Sequence, residues 1–340
     1  MCRAVLLWIR TGLALVVLVS FSLQASIPKK SSSLLEFPRL PPVKLVDVGG
    51  HRLHINCTGK GTPTVVMESG AGDFSFDWSL VQPRIARFTR VCTYDRAGYA
   101  WSDAGPMPRT MQQIVAELHT GLRKVGVKSP YLLVGQSLGG LIVRVYANQY
   151  PTEVDGMVLI DSSHEDNQIL LNNKLVPLRE LSRGRAIPPV QLKMRAPVGL
   201  SSAREVRPPS SVVPKVEAPY DKLPPEIQQV RLWAVTQPNY SDARRSEFDY
   251  LAEEVALIHI DRSKREYPLG DIPLIVLTRG KNADEGHQKL QADLVCLSRY
   301  SKQIIAQKSG HHIQLDEPEL VTDAIRQVVD ATRGRAKLTP

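Results

Sequence analysis

The chain has 340 residues with an ordinary globular composition, 43% hydrophobic and 23% charged. This length permits one large domain with an insertion. The formal net charge is +9, but the basic residues are scattered rather than gathered into one run. Scattered charge argues against a nucleic-acid site and favours a solvated basic surface or mild attraction to anionic membranes.

The N-terminal segment has the order of a secretory signal. Arg3 and Arg10 precede an apolar run over 13–23, and Ala25 lies among small polar residues just after it. Arg10 leaves an uninterrupted run too short for a comfortable membrane span of about 20 residues. We therefore predict a cleaved signal peptide over 1–25, in preference to a retained N-terminal anchor. The protein would then be extracytoplasmic, secreted or periplasmic, with membrane association if the segment is retained.

Three cysteines follow that segment: Cys57, Cys92 and Cys296. Their odd number and unrelated spacings argue against a disulfide scaffold and show no paired zinc spacing. Cys57 and Cys92 both fall in strand-like runs, where a bridge could form outside the cytoplasm. We expect buried free thiols instead.

Strand-like and helical patterns alternate after a Ser-, Pro- and Lys-rich linker at 26–42. Alternating apolar residues around Gly49-Gly50 predict a β-hairpin. Thr110, with Gln113 three residues on, predicts a capping box for a helix that Gly126 stops. Continuous apolar runs are typical of strands buried on both faces of a parallel sheet, and they lie at 64–67, 91–94, 131–134 and 157–160.

The alternation breaks between residues 163 and 270. No strand-like run occurs there, and prolines crowd 188–225. Helical patterns follow at 226–235 and 246–258. We interpret 163–270 as an inserted, mostly helical lid over the carboxyl ends of the strands.

The sheet pattern resumes after the insertion. Apolar runs at 273–277 and 303–306 predict two strands, with a helix around 285–297 between them. Asp316 with Glu319 then predicts a capped C-terminal helix. The core would comprise 43–162 and 271–332, followed by a tail at 333–340.

The segment 131–146 joins a strand, a G-x-S-x-G turn and a helix. A serine on such a tight turn is exposed, and residues bulkier than Gly135 and Gly139 would collide with neighbouring backbone. The helix that follows directs N–H groups and a positive dipole end at the same point, which favours a developing oxyanion. Ser137 is therefore the candidate nucleophile.

A serine nucleophile needs a base to take its proton and a third group to orient that base. In this arrangement the order along the chain is serine, acid, histidine, and the histidine lies in the loop after the last strand. His311 and His312 occupy that loop. Both are candidates at this point.

With these motifs in this order, the chain resembles the α/β-hydrolase superfamily, in its serine-nucleophile, lid-containing, esterase-like branch. The resemblance covers 43–332 apart from the insertion. It implies an α/β fold with a mostly parallel eight-stranded sheet and an inserted helical lid. The motifs that carry it are 68–72 before Trp78, 94–99, 135–140 and 311–318.

The same resemblance implies roles for individual residues. It favours His311 over His312 as the catalytic histidine, and it implies that the backbone N–H groups of Ala71 and Leu138 form the oxyanion hole. Gln136 replaces a more frequent histidine of this turn, at a position expected to point away from the reacting atom.

Two aspartates are candidates for the acid. Asp284 follows the seventh strand, the commonest location in the family, but it lies in a charged loop slightly later than the usual spacing. Asp161 ends the sixth strand, an alternative location in the dehalogenase branch, where the sheet would fix its position. We favour Asp161 and retain Asp284 as the alternative.

The residue type of the candidate nucleophile narrows the range of possible reactions. Epoxide hydrolases and haloalkane dehalogenases of this fold use an aspartate at the elbow, so Ser137 argues against both. We expect an exported serine hydrolase that cleaves small-molecule carboxylic esters through an acyl-enzyme on Ser137. No metal, organic cofactor or nucleic-acid partner is implied. The alternatives are a peptidase or amidase of the same fold, and a non-catalytic ligand-binding protein.

Overall fold

The computed structural model describes residues 44–192, 216–334 and 338. The predicted signal peptide at 1–25 and linker at 26–42 lie outside the described residues, as does most of the predicted tail. Residues 193–215 of the predicted insertion also lie outside them.

The described residues contain ten strands, most of them short apolar segments. In chain order these are β1 (Leu45–Asp47), β2 (Arg52–Thr58), β3 (Thr64–Glu68), β4 (Val91–Tyr94), β5 (Tyr131–Gln136), β6 (Val154–Ile160), β7 (Gln168–Leu171), β8 (Lys174–Pro177), β9 (Leu274–Arg279) and β10 (Ser301–Ala306).

Helices connect these strands along the described part of the chain. They are α1 (Gln82–Ile85), α2 (Met111–Lys124), α3 (Leu138–Gln149), α4 (Pro225–Ala234), α5 (Tyr240–Ser246), α6 (Leu251–Ser263), α7 (Glu285–Asp293), α8 (Ile313–Asp316) and α9 (Pro318–Thr332). Several short 3₁₀ turns lie between them.

Eight of the strands form one sheet in the order β1-β2-β4-β3-β5-β6-β9-β10. The two pairings in this sheet that involve β2 are antiparallel, and the other five pairings in this sheet are parallel. The predicted mostly parallel eight-stranded sheet is therefore confirmed. Because parallel strands end at one edge, the segments that follow β3, β5, β6, β9 and β10 all meet there.

The central strands are buried on both faces, which explains their unbroken apolar sequences. Val66 packs with the layer that contains α2 and α3. Its neighbours Val65 and Met67 point the other way, into the layer that contains α1 and α9. Successive side chains of a strand alternate between faces, so a sheet covered on both sides needs apolar residues at every position.

The helix caps differ in part from the sequence-based expectations. Thr110 caps α2 by accepting the N–H of Gln113 at 3.2 Å, but the Gln113 amide donates to Glu117 rather than back to the cap. The prediction that Asp316 caps the last helix is wrong. The short helix α8 ends at Asp316, and Glu317 is the N-cap residue of α9, which begins at Pro318.

The prediction of a segment without strands between β6 and β9 is also wrong. The strands β7 and β8 form a separate two-stranded antiparallel hairpin there, joined by Asn172 and Asn173, both with positive φ. This Asn-Asn pair suits the left-handed turn of a two-residue hairpin. The strand residues are largely exposed, so the hairpin lacks the buried apolar pattern that marks the other strands.

The expectation of free thiols at Cys57 and Cys92 is wrong as well. The two residues are directly opposite each other in the antiparallel pair of β2 and β4, and a disulfide joins them. Their opposition depends on the strand register, which the spacing of two cysteines in the sequence does not contain. Cys296 is free and exposed.

No helix within the described ranges is long and apolar enough to cross a lipid bilayer.

Candidate active site

The turn between β5 and α3 places Ser137 in an unusual backbone conformation, with φ 53° and ψ −122°. Such a conformation is costly for a residue with a side chain, by about 1 to 3 kcal/mol, and persists only where the surroundings impose it. A Cβ atom at Gly135 would lie 2.5 Å from the carbonyl oxygen of Gly139, and one at Gly139 would lie 2.5 Å from that of Glu68. Glycine at both positions therefore permits the close packing that holds the turn.

Two backbone N–H groups lie beside this serine. Leu138 begins α3 directly after Ser137, and Ala71 lies in the loop after β3. Neither N–H has a hydrogen-bond acceptor within the described ranges of the chain. Both residues line a pocket together with Ser137, so both donors are available to a group bound at the serine.

The histidine loop after β10 brings His311 to the end of β6. Its Nδ1 atom lies 2.6 Å from Oδ2 of Asp161. The Asp161 carboxylate is fully buried, whereas the His311 side chain is 40% exposed. No hydrogen bond joins the Ser137 hydroxyl to His311 in the described structure, and such contacts often tighten only when substrate binds.

Gln136 connects the serine turn to this loop. Its side chain is fully buried, and its Nε2 atom donates to the backbone carbonyl of His311 at 3.2 Å. The position that was expected only to point away from the reacting atom therefore fixes the backbone that carries the candidate base.

The structure separates the two candidate acids. Asp161 contacts His311, whereas Asp284 is the N-cap residue of α7 and accepts the N–H of His287 at 2.7 Å. An aspartate at this position satisfies an otherwise unpaired donor of the first helical turn. Asp284 thus has a local structural role as a helix cap, and no contact joins it to His311 in the described part of the chain.

Asp161 has two further partners that the sequence reasoning missed. His287 Nε2 lies 2.8 Å from Oδ1, and the Arg279 guanidinium donates to Oδ2 at 2.7 Å. Burial alone would raise the pKa of Asp161, but the hydrogen bonds and charges of His287 and His311 outweigh it and hold that pKa well below its usual range. The only sequence signal for His287 was its place in the first turn of a helix capped by Asp284.

His312 faces a different group of residues. Its Nε2 atom lies 2.8 Å from the hydroxyl oxygen of Tyr220, and that hydroxyl donates to Asp73 at 2.5 Å. The ring therefore points toward the segment between β6 and β9 and toward the loop after β3. Of the two histidines, only His311 contacts Asp161.

The pocket at Ser137 has a volume of about 100 Å³. Its polar lining comes from the segment just after β6, and consists of Ser163, His164 and Asn167. Its apolar lining comes from α3 and from the segment between β6 and β9, and consists of Leu138, Leu141, Leu178, Phe248, Leu251 and Val255. No group of three or more metal-ligating side chains is arranged to hold an ion within the described residues.

Buried ionic contacts attach the segment between β6 and β9 to the core. Arg96 follows β4 and binds Glu68 and Glu247 at 2.6 Å each. It also donates to the carbonyl oxygens of Ser69 and Gly70. Because Glu247 belongs to the segment between β6 and β9, one guanidinium links that segment to the loop that presents the Ala71 N–H.

A second buried contact involves Arg231 of α4. It pairs with Asp77 and with Asp73, the latter at 3.3 Å. Its guanidinium also lies over the ring of Tyr220. These contacts reach the same loop after β3, so charged groups hold it from two places, Arg96 after β4 and Arg231 on α4.

A family model of the α/β hydrolase fold matches residues 63–192. An uncharacterized protein of Bacillus subtilis is 26% identical over 275 residues, which cover 79% of this chain and 85% of that protein. A protein of Gibberella zeae described as an AB hydrolase superfamily protein is 26% identical over 305 residues, 80% of this chain and 87% of that one.

Solved structures give the same result for the fold. A thermophilic esterase from Thermogutta terrifontis superposes with a TM-score of 0.58 at 16% identity, and the match covers 86% of this chain and 99% of the esterase. The chain has the α/β-hydrolase fold and is similar to proteins of the α/β-hydrolase superfamily. The match to this fold and the structural neighbours support a hydrolase.

Glu254 of α6 provides a test of how the segment is attached. Its Oε1 atom accepts the N–H of Met111, where α2 begins, at 2.5 Å. Burial raises the pKa of Glu254 to about 8, from an ordinary value of 4.5, and the Met111 N–H only partly opposes this. A raised folded-state pKa means that the contribution to stability is complete below pH 4.5 and is lost as the pH rises to about 8.

We expect Glu254→Gln to gain stability relative to the native chain as the pH rises from 5 to 9, because glutamine keeps the acceptor and cannot ionise. The gain in unfolding free energy is about 1.4 kcal/mol for each pH unit that lies between the unfolded-state and folded-state pKa values of Glu254. Urea unfolding at pH 5, 7 and 9 measures it. The control is Glu253→Gln on the same helix, where Arg185 lowers the pKa of the native carboxyl. Parallel pH curves for Glu254→Gln and the native chain would contradict the argument.

Proposed function

We propose that this chain is an exported serine hydrolase that cleaves carboxylic esters with short acyl groups. The observation that carries the proposal is the contact between His311 and the buried Asp161, at the sheet edge beside the Ser137 turn. A buried carboxylate on Nδ1 of a histidine orients the ring and stabilises its protonated form, as a general base requires. The Nε2 atom of His311 is then left to accept the proton of the Ser137 hydroxyl.

The proposed reaction follows from these positions. The Ser137 hydroxyl attacks the ester carbonyl while His311 takes its proton. The negative charge that develops on the carbonyl oxygen is stabilised by the N–H groups of Ala71 and Leu138, which have no other acceptor in the described structure. Protonated His311 then gives its proton to the oxygen of the leaving alcohol as the ester bond breaks. The neutral ring next takes a proton from the water that attacks the acyl-enzyme, and it returns that proton to Ser137 as the carboxylic acid leaves.

The size and lining of the pocket support a short acyl group. A cavity of 150 Å³ lined by aliphatic and aromatic side chains holds one benzene molecule in a well-studied case. The pocket here is about 100 Å³, so it suits a group smaller than benzene. Phe248, Leu251 and Val255 come from the segment between β6 and β9, and we propose that this segment acts as a lid that closes one side of the pocket.

The export of the chain is supported by two observations. Residues 1–25 have the pattern of a secretory signal. The disulfide between Cys57 and Cys92 is a kind of bond that persists mainly in oxidising compartments outside the cytoplasm.

We expect Ser137→Ala to abolish ester turnover and labelling by a fluorophosphonate probe, because loss of a triad nucleophile costs on the order of a millionfold in a comparable enzyme. Turnover of nitrophenyl acetate and gel-based labelling measure both. Thermal unfolding of the variant serves as the folding control. Ester turnover within tenfold of the native rate would rule out the mechanism, and turnover of amides in preference to esters would favour the peptidase or amidase alternative.

The triad acid is tested by a matched pair of variants. Asp161→Asn should lose most of its kcat, on the order of ten-thousandfold as in a serine protease, because the amide favours the wrong tautomer of His311 and removes the stabilising charge. Asp284→Asn should remain within tenfold of the native kcat and keep its stability, since asparagine is an equally good helix cap. Steady-state kinetics and unfolding midpoints decide between them. The opposite pattern would assign the acid to Asp284.

The acyl pocket is tested by a second matched pair on α6. Leu251→Ala should shift the preferred nitrophenyl ester from acetate or propionate toward hexanoate, because truncation enlarges the pocket. Leu257→Ala is the control, since this leucine is exposed and lies outside the pocket lining. The ratio of kcat/KM values along the acyl series is the measurement. An unchanged ratio in Leu251→Ala would place the acyl group elsewhere.

A further inference from the structure

The carboxylate that contacts His311 also holds a second histidine. Asp161 Oδ2 accepts from His311 Nδ1 and from the Arg279 guanidinium. Its other oxygen, Oδ1, faces His287 Nε2 at 2.8 Å and accepts the backbone N–H of Arg279 at 3.2 Å. The acid side chain is fully buried.

We propose that His287 is a positioning residue of this site, which fixes the orientation of Asp161 and, when protonated, shifts the acidic limit of activity to lower pH. This inference rests on the function proposed above, in which His311 is the general base. His287 acts through Asp161 and does not contact the substrate pocket, whose lining does not include it.

Four hydrogen-bond donors hold the Asp161 carboxylate in one orientation. An ionised carboxylate offers about four lone-pair positions, and four donors occupy them here. With two donors on each oxygen, rotation of the Asp161 carboxylate breaks hydrogen bonds on both sides. Removal of the His287 donor leaves Oδ1 with one donor, the backbone N–H of Arg279 at 3.2 Å. The carboxylate then rotates more easily, and the orientation of the His311 ring is less well held.

The local structure delivers His287 to this place. Asp284 caps α7 through the N–H of His287, so the cap fixes the first helical turn and aims the imidazole at the end of β6. Farther along the helix, the Gln291 amide donates to the carbonyl oxygen of Ser162 at 2.7 Å. Because α7 has this second attachment to the core, the contact of His287 is not needed merely to hold the helix in place.

Three basic side chains face this carboxylate. Arg279 on β9 is a permanent positive charge, and His311 in the loop after β10 and His287 on α7 can each add another. On the helical turn of His287, Asp284 accepts the backbone N–H of His287, and Glu285 pairs with Lys289. On the His311 side, the adjacent ring of His312 is engaged with Tyr220 and Asp73.

Two protonated histidines on one carboxylate that already binds a guanidinium would repel each other. A proton on His287 therefore opposes protonation of His311, so the base stays active to lower pH than it would without that charge. Glutamine at 287 can keep the donated hydrogen bond, but it cannot become positive.

The experiment compares His287→Ala, His287→Gln and the control His119→Gln in the full chain. His119 is also a partly buried histidine paired with a carboxylate, that of Glu153, outside the pocket lining. The measurements are kcat and KM for nitrophenyl acetate from pH 5 to 9, thermal unfolding, and the pH titration of the His311 ring by NMR. The NMR titration does not depend on turnover.

We expect His287→Ala to lower kcat at pH 8.5 about tenfold with little change in KM, since a misaligned acid affects the transition state rather than substrate binding. His287→Gln should recover most of this loss. Its acidic limb of kcat/KM, and the midpoint of the His311 titration, should move up by about half a pH unit or more, because the opposing charge is gone. His119→Gln should match the native chain.

The proposal is overturned if His287→Ala loses only thermal stability at an unchanged kcat, or if the His311 titration of His287→Gln superimposes on the native curve. A chain in which Ser137→Ala keeps native turnover would instead refute the proposed function. In that case the NMR titration still decides whether His287 and His311 are coupled through Asp161.

Discussion

The close backbone packing around the Ser137 turn is the constraint on which the rest of the site depends. β5 lies between β3 and β6 in the sheet, and the turn that follows it can form only because Gly135 and Gly139 leave room for neighbouring carbonyl groups. The same strand order brings the loop with Ala71 to one side of the serine and Asp161 to the other. Ser137, the Ala71 N–H and Asp161 are thus neighbours because their strands are neighbours.

Charged residues, rather than an apolar interface alone, join the segment between β6 and β9 to this sheet edge. Arg96 and Arg231 are each paired with two carboxylates in buried positions. Buried ion pairs contribute little net stability, but loss of one partner leaves an uncompensated charge and is strongly destabilising. Such contacts specify one arrangement of the segment against the loop after β3, and this is the loop whose N–H group faces the pocket.

The sequence predicted the sheet well because burial on both faces leaves a local signature, a run of apolar residues such as 64–67. It also predicted the turn at Ser137, whose chemistry lies within five consecutive residues. It could not predict contacts set by tertiary register. The pairing of Cys57 with Cys92 depends on which strands are adjacent, and Arg279 and His287 reach Asp161 across more than a hundred residues of chain. The exposed hairpin β7–β8 was missed because it buries no face.

Gln136 has a consequence for how this chain and its relatives can diverge. Its amide donates to the backbone carbonyl of His311, so a residue within the G-x-S-x-G turn supports the loop that carries the histidine. A side chain of another length at 136 would have to be matched by a shifted loop over 309–312. The two segments should therefore covary among homologues, and a graft of either one into another scaffold would need the other to accompany it.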